Sequence, residues 1–75
     1  MNFLELTPQV RNILKKFVKD PTERNAYYFG GYLLGARENA GLLTDHYHYL
    51  LDLIRIINDD RSVAVEILNQ LENPQ

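Results

Sequence analysis

From Tyr32 to Thr44 the chain reads Tyr32-Leu33-Leu34-Gly35-Ala36-Arg37-Glu38-Asn39-Ala40-Gly41-Leu42-Leu43-Thr44. The stretch divides into a helix end, an Ala-Gly stop, an apolar pair and a threonine that opens the next helix. Glycine just past a last helical turn takes the left-handed conformation that ends the helix without a Cβ penalty. The link Gly41-Leu42-Leu43 is so short that the helices on either side must fold back on each other as an α-hairpin.

Upstream, Asp20-Pro21-Thr22-Glu23 marks where the first arm of that hairpin starts. Asp20 is placed to cap, Pro21 to occupy the first helical position, and Glu23 follows three residues after Asp20 as in a capping box. Before it, Thr7-Pro8 opens another helix. Val10, Ile13, Leu14, Phe17 and Val18 recur there at helical spacing, with Arg11, Lys15, Lys16 and Lys19 on the other side. Phe3, Leu4 and Leu6 are expected to tuck against this helix. Downstream, Asn58-Asp59-Asp60-Arg61 breaks the pattern, Ser62 is placed to cap a last helix, and Glu72-Asn73-Pro74-Gln75 is expected to fray. A strand over Val63-Ala64-Val65 competes with that last helix, but it has no second strand to pair with. The expectation is one all-α domain over residues 1–75. It is a compact bundle of four helices at about 8–19, 21–40, 45–57 and 63–72, with the hairpin at its centre.

The third helix is apolar over roughly 220° of its circumference, from Tyr49 through Leu53 and Ile56 to Leu50 and Tyr47. A surface helix needs only about 100–140°. Either the other three helices cover this one on several sides, or part of the arc meets another subunit.

The second helix has an inward face of Ala26, Phe29, Tyr32, Leu33, Ala36 and Ala40. On its opposite side lie Gly31 and Gly35, four residues apart, flanked by Tyr27, Tyr28 and Leu34. Each interior glycine costs about 1 kcal/mol of helix stability, so something should compensate. A strip of small residues lets a second helix approach closely, and flanking tyrosines are common interface anchors. The helix that fills the strip belongs to another protein or, alternatively, is the first or last helix of the same chain. A kink at Gly30-Gly31 is the remaining reading.

Composition narrows the chemistry. With no cysteine and two histidines, disulfides, thiolate sites and a rich metal cage are out. Ser62 is the lone serine and is better explained as a cap than as part of a triad. Phe29-Gly30-Gly31-Tyr32 lies inside a helix and matches no phosphate loop. Asp45, His48 and Asp52 share a helix face, which reads as a solvated surface with a His48–Asp52 pair rather than a metal site. His46 reads as a histidine at the core edge. No enzymatic activity, cofactor, metal or small-molecule substrate is expected.

Net charge is −2, divided as +3 over residues 1–37 (six Lys/Arg, three Asp/Glu) and −5 over residues 38–75 (two Lys/Arg, seven Asp/Glu). A helix-turn-helix reading of the central hairpin fails, because the would-be recognition helix carries Asp45, Asp52 and Asp59 against only Arg55. The basic face of the first helix is the better candidate for a small nucleic-acid-binding regulator, through Arg11, Lys15, Lys16 and Lys19. Membrane association through the same face is disfavoured, and the longest stretch without a charge, Asn25 to Ala36, is too short to span a bilayer. Met1 to Leu6 lacks the features of a signal peptide, so the cytoplasm is the expected location.

These readings converge on a protein–protein interaction module that self-associates as a dimer. The expected interface is Tyr27, Tyr28, Gly31, Leu34 and Gly35, with Tyr49, Leu53 and Ile56 as a second patch. A small inhibitor or regulator docking on a larger protein fits the same features.

Overall fold

Helix starts and stops carry the architecture. In the computed structural model, residues 2–39 and 41–73 are described. A single 3-10 turn, Phe3–Glu5, precedes helices α1 (Pro8–Lys19), α2 (Glu23–Asn39), α3 (Thr44–Asp59) and α4 (Ser62–Glu72). No strand forms among the described residues, and Val63-Ala64-Val65 is helical. Ala40, Pro74 and Gln75, on which the expected end of the second helix and part of the tail fall, lie outside the described residues.

The caps explain each boundary and correct two expectations. Thr7 accepts the Val10 N–H at 3.3 Å, as its place before Pro8 requires. α2 begins two residues later than expected. Thr22, not Asp20, is the cap, its hydroxyl accepting the Asn25 N–H at 3.1 Å. The Asn25 side-chain amide donates to the Asp20 carbonyl at 2.8 Å; the Asp20 N–H, which Glu23 would accept in the expected box, donates instead to the Phe17 carbonyl at 3.2 Å. Pro21 therefore lies before the helix, where its fixed φ shapes the approach.

At the other end, Gly41 adopts φ +71°, and the Leu42 N–H donates to the Ala36 carbonyl at 3.2 Å. That bond satisfies one carbonyl of the last turn and seats Leu42 in the core at 8% exposure. α3 opens without a side-chain cap: the Leu43 carbonyl accepts the Tyr47 N–H at 2.9 Å and Thr44 is the first helical residue.

Ser62 is not the cap of α4 either. Asp60 accepts both the Ser62 N–H at 3.1 Å and the Ser62 hydroxyl at 2.7 Å. A carboxylate outcompetes a hydroxyl as acceptor at a helix start, where backbone N–H groups lack partners. Those two bonds hold the Asp60 carboxyl below its ordinary value of 3.8.

The helices close a ring in which α1 packs on α2, α2 on α3, α3 on α4 and α4 back on α1. α3 is therefore no more central than its neighbours, and its wide apolar arc is only partly covered. The core runs through all four helices, with Leu14, Leu33, Leu50 and Ile57 fully buried. The Phe17 and Phe29 rings stack at 5.5 Å and 25°, joining α1 to α2. No polar or charged residue is buried as a whole among those described, so the cost of taking charge out of water is confined to single atoms such as the buried Arg11 Nε. The radius of gyration of 11.3 Å is what a folded chain of this length should show.

Of the leading residues, Phe3 and Leu6 are buried but Leu4 is 46% exposed. Phe3 also meets α3, its ring edge-on to Tyr49 at 6.4 Å. A 3-10 turn points successive side chains a third of a revolution apart, so Phe3 and Leu4 cannot both face inward.

Two outcomes test this capping scheme. Thr22→Ala should lower stability by about 1 kcal/mol in urea unfolding, while Thr44→Ala should change it little; an equal loss from Asp20→Ala alone would overturn the assignment. Because the folded Asp60 carboxyl is held low, its contribution is present above the unfolded pKa and is lost as pH falls through the folded value. The difference in melting temperature between the native chain and Asp60→Ala should therefore be fully developed at neutral pH. It should shrink towards zero on acidification through the carboxylate range.

Candidate interaction surface

α2 presents different chemistry on its two sides. Ala26, Phe29, Leu33 and Ala36 are buried and Tyr32 is partly buried. Half a turn away, Tyr27 is 83% exposed, Tyr28 61% and Leu34 49%. Gly31 is exposed and Gly35 half-buried between them. At about 100° per residue these five side-chain positions span roughly 120° centred on Gly31. All five residues expected at the first interface are thus on one outward face.

The glycines decide between the two ways of filling the strip. A Cβ built on Gly30, Gly31 or Gly35 would meet no atom within 4 Å. Neither α1 nor α4 packs into the strip, and α2 runs unbroken from Glu23 to Asn39 through Gly30-Gly31. The helix therefore bears the propensity cost of three interior glycines with no close approach inside the described chain to require them.

Polar groups frame the face. The Arg24 guanidinium lies 5.7 Å from the centre of the Tyr28 ring, a cation–π contact that steadies the ring in an exposed position. Beside it, Tyr28 and Tyr32 wall a recess of about 290 Å³ between α1 and α2, with Ile13 and Phe17 among its other lining residues. Arg37 sits 5.0 Å over the Tyr47 ring and ties α2 to α3 away from the outward face.

The second expected patch is split by depth. Tyr49 is 39% and Ile56 46% exposed, but Leu53 is 5% exposed and forms the floor of a groove of about 350 Å³. Phe3 and Val63 close its sides, and Asp52 and Glu66 stand at its rim. Phe3 had no place in the expected patch. Its apolar character ahead of the Thr7 cap was the one signal that it would bury itself, with nothing local to say against which helix.

The basic face of α1 is partly engaged within the chain. Lys15 Nζ is 3.9 Å from a Glu72 carboxylate oxygen of α4. Arg11 is half-buried, and its Nε is buried without a partner. Lys16 and Lys19 remain exposed. The four positions thus do not form a uniform row of free cations.

Asp52 receives a hydrogen bond from Arg55 at 3.2 Å rather than pairing with His48, whose ring lies edge-on to Tyr47 at 5.4 Å. The arginine three residues along reaches the carboxylate with a permanent charge, which the imidazole does not offer. No group of three His, Asp or Glu residues among those described could hold a metal ion. His46 is partly buried, 3.7 Å from Glu5. No described helix is long and apolar enough to cross a membrane. No known family model, curated protein or solved structure matches the chain.

If the outward glycines have no packing role within one chain, filling them should help the isolated fold. Gly31→Ala should raise stability by about 1 kcal/mol, measured by urea unfolding at concentrations low enough to exclude association. Gly41→Ala should lower it by about 1–2 kcal/mol, because its backbone is left-handed. A loss of stability in Gly31→Ala would reveal an intrachain role for that glycine.

Proposed function

We propose that this chain is a non-enzymatic protein–protein interaction module that self-associates by burying the outward face of α2. The observation that carries this reading is the open glycine strip. Its residues weaken the helix, no packing among the described residues uses them, and exposed Tyr27, Tyr28 and Leu34 border them. Close helix approach at glycine, with large aromatic side chains on either side, is how such a face recovers free energy. A chain of 75 residues also buries a small share of its surface, so association adds stability that a disulfide or metal supplies elsewhere.

The mechanism is burial of apolar and aromatic area, with no bond made or broken. The groove of Tyr49, Leu53 and Ile56 is a second contact surface of the same module. We place its action in the cytoplasm, in keeping with a cysteine-free chain.

Light scattering on a sizing column should give a mass near twice the 8.8 kDa chain for the native protein. Gly31→Leu should return it to the chain mass with helix content unchanged, since a Cβ there meets no atom of the described residues within 4 Å. A native monomer at every concentration rules out self-association. It leaves the α2 face to a larger foreign protein, which a pull-down comparing the native chain with Gly31→Leu would identify. Retention of the native assembly by Gly31→Leu would remove the α2 face from the interface.

A further inference from the structure

We propose that the outward face of α2 is built for a second copy of the same helix running antiparallel, with a two-fold axis passing beside Gly31. This rests on the self-association reading above and adds to it the partner helix, its direction and its register.

The argument is the order of residues along the exposed face. Seven residues before Gly31 stands Arg24, and seven after it Glu38; four before is Tyr27, and four after Gly35; three before is Tyr28, and three after Leu34. In a two-fold antiparallel pair, residues equidistant from Gly31 come to the same height, because each interface residue i meets j and each j meets i. Each Arg24 then faces Glu38 of the second copy, about 10 Å on either side of the axis at 1.5 Å per residue. Each Tyr27 comes level with the open Gly35, and each Tyr28 with Leu34. The two Gly31 residues meet at the crossing, where the absence of a Cβ allows the closest approach.

The exposed side chains are free to do this. Tyr27, Tyr28, Leu34, Arg24 and Glu38 are all exposed. Among the described residues, the chain's ion pairs join Lys15 to Glu72, His46 to Glu5 and Arg55 to Asp52, leaving Arg24 and Glu38 without one. Arg24 rests only on its own Tyr28 ring, a position compatible with a carboxylate arriving at the guanidinium edge.

A parallel pair in register would instead set Arg24 against Arg24, Glu38 against Glu38 and Tyr27 against Tyr27. That arrangement opposes like charges at both ends and puts bulk against bulk beside empty glycine. Charge and shape therefore select the same direction. The paired charges both lie on α2, whose two arginines and two glutamates balance, so the contact does not depend on the excess of basic residues in α1 or of acidic residues in α3 and α4.

Because the chain has no cysteine, single cysteines report the register directly under mild oxidation. Gly31→Cys should form a disulfide with itself, as its two copies meet at the axis. Gly35→Cys alone should crosslink at least about tenfold more slowly, since its copies lie about 12 Å apart along the pair, beyond disulfide reach. An equimolar mixture of Tyr27→Cys and Gly35→Cys should yield the mixed disulfide in preference to either homodimer.

Light scattering of the native chain runs beside these reactions. A native dimer in which Gly35→Cys links to itself as fast as Gly31→Cys, or in which no mixed Tyr27–Gly35 product forms, overturns the antiparallel register and leaves self-association standing. A native chain that stays at the monomer mass overturns both.

Discussion

The left-handed backbone at Gly41, with the Leu42 N–H turned back onto the Ala36 carbonyl, fixes where α2 stops and α3 starts. That reversal decides which side of α2 is covered. α3 lies against it on one flank and α1 on another through the Phe17–Phe29 stack, and α4 then bridges α1 and α3. With the ring closed in this way, one face of α2 is left with no element of the described chain to cover it. The exposed tyrosines and open glycines are thus a geometric consequence of the hairpin, and not of an isolated local preference.

Much of this was readable before any coordinates, because the punctuation is strong. Thr7-Pro8, Gly41 and the Asn58–Arg61 break each have a single physical interpretation, and the helices they delimit fall within about two residues of expectation at each described boundary. The misses share a cause. Asp20 and Thr22, like Asp60 and Ser62, are pairs of capping residues two positions apart. Which one reaches a free N–H depends on the path of the chain entering the helix, which no local pattern encodes. In both cases the structure resolves the competition by using both residues: Asp20 receives the Asn25 amide, and Ser62 donates to Asp60.

The site was legible to a similar extent and with a similar limit. A helical wheel is enough to collect Tyr27, Tyr28, Gly31, Leu34 and Gly35 on one side, because that depends only on the period of the helix. It is not enough to tell Tyr49 and Ile56, which remain exposed, from Leu53, which lies beneath them. Their depth follows from how α4 and the Phe3 turn lie across α3. Likewise, Lys15 and Arg11 belong to a basic face on the wheel, yet the end of α4 brings Glu72 to Lys15, and Arg11 is half-buried.

The ring order of the helices also bears on how the chain reaches its fold. Three of its four main helix pairs join consecutive helices across short links, and among these pairs α1 with α4 is the one that joins helices distant in sequence. Loop-closure entropy is small for the consecutive pairs and largest for that final one. Folding should thus be rapid, as in other chains dominated by local contacts, with the docking of α4 onto α1 as the step that commits the molecule. Leu71 and Glu72, at the far end of α4, then act less as anchors of the finished core than as its clasp.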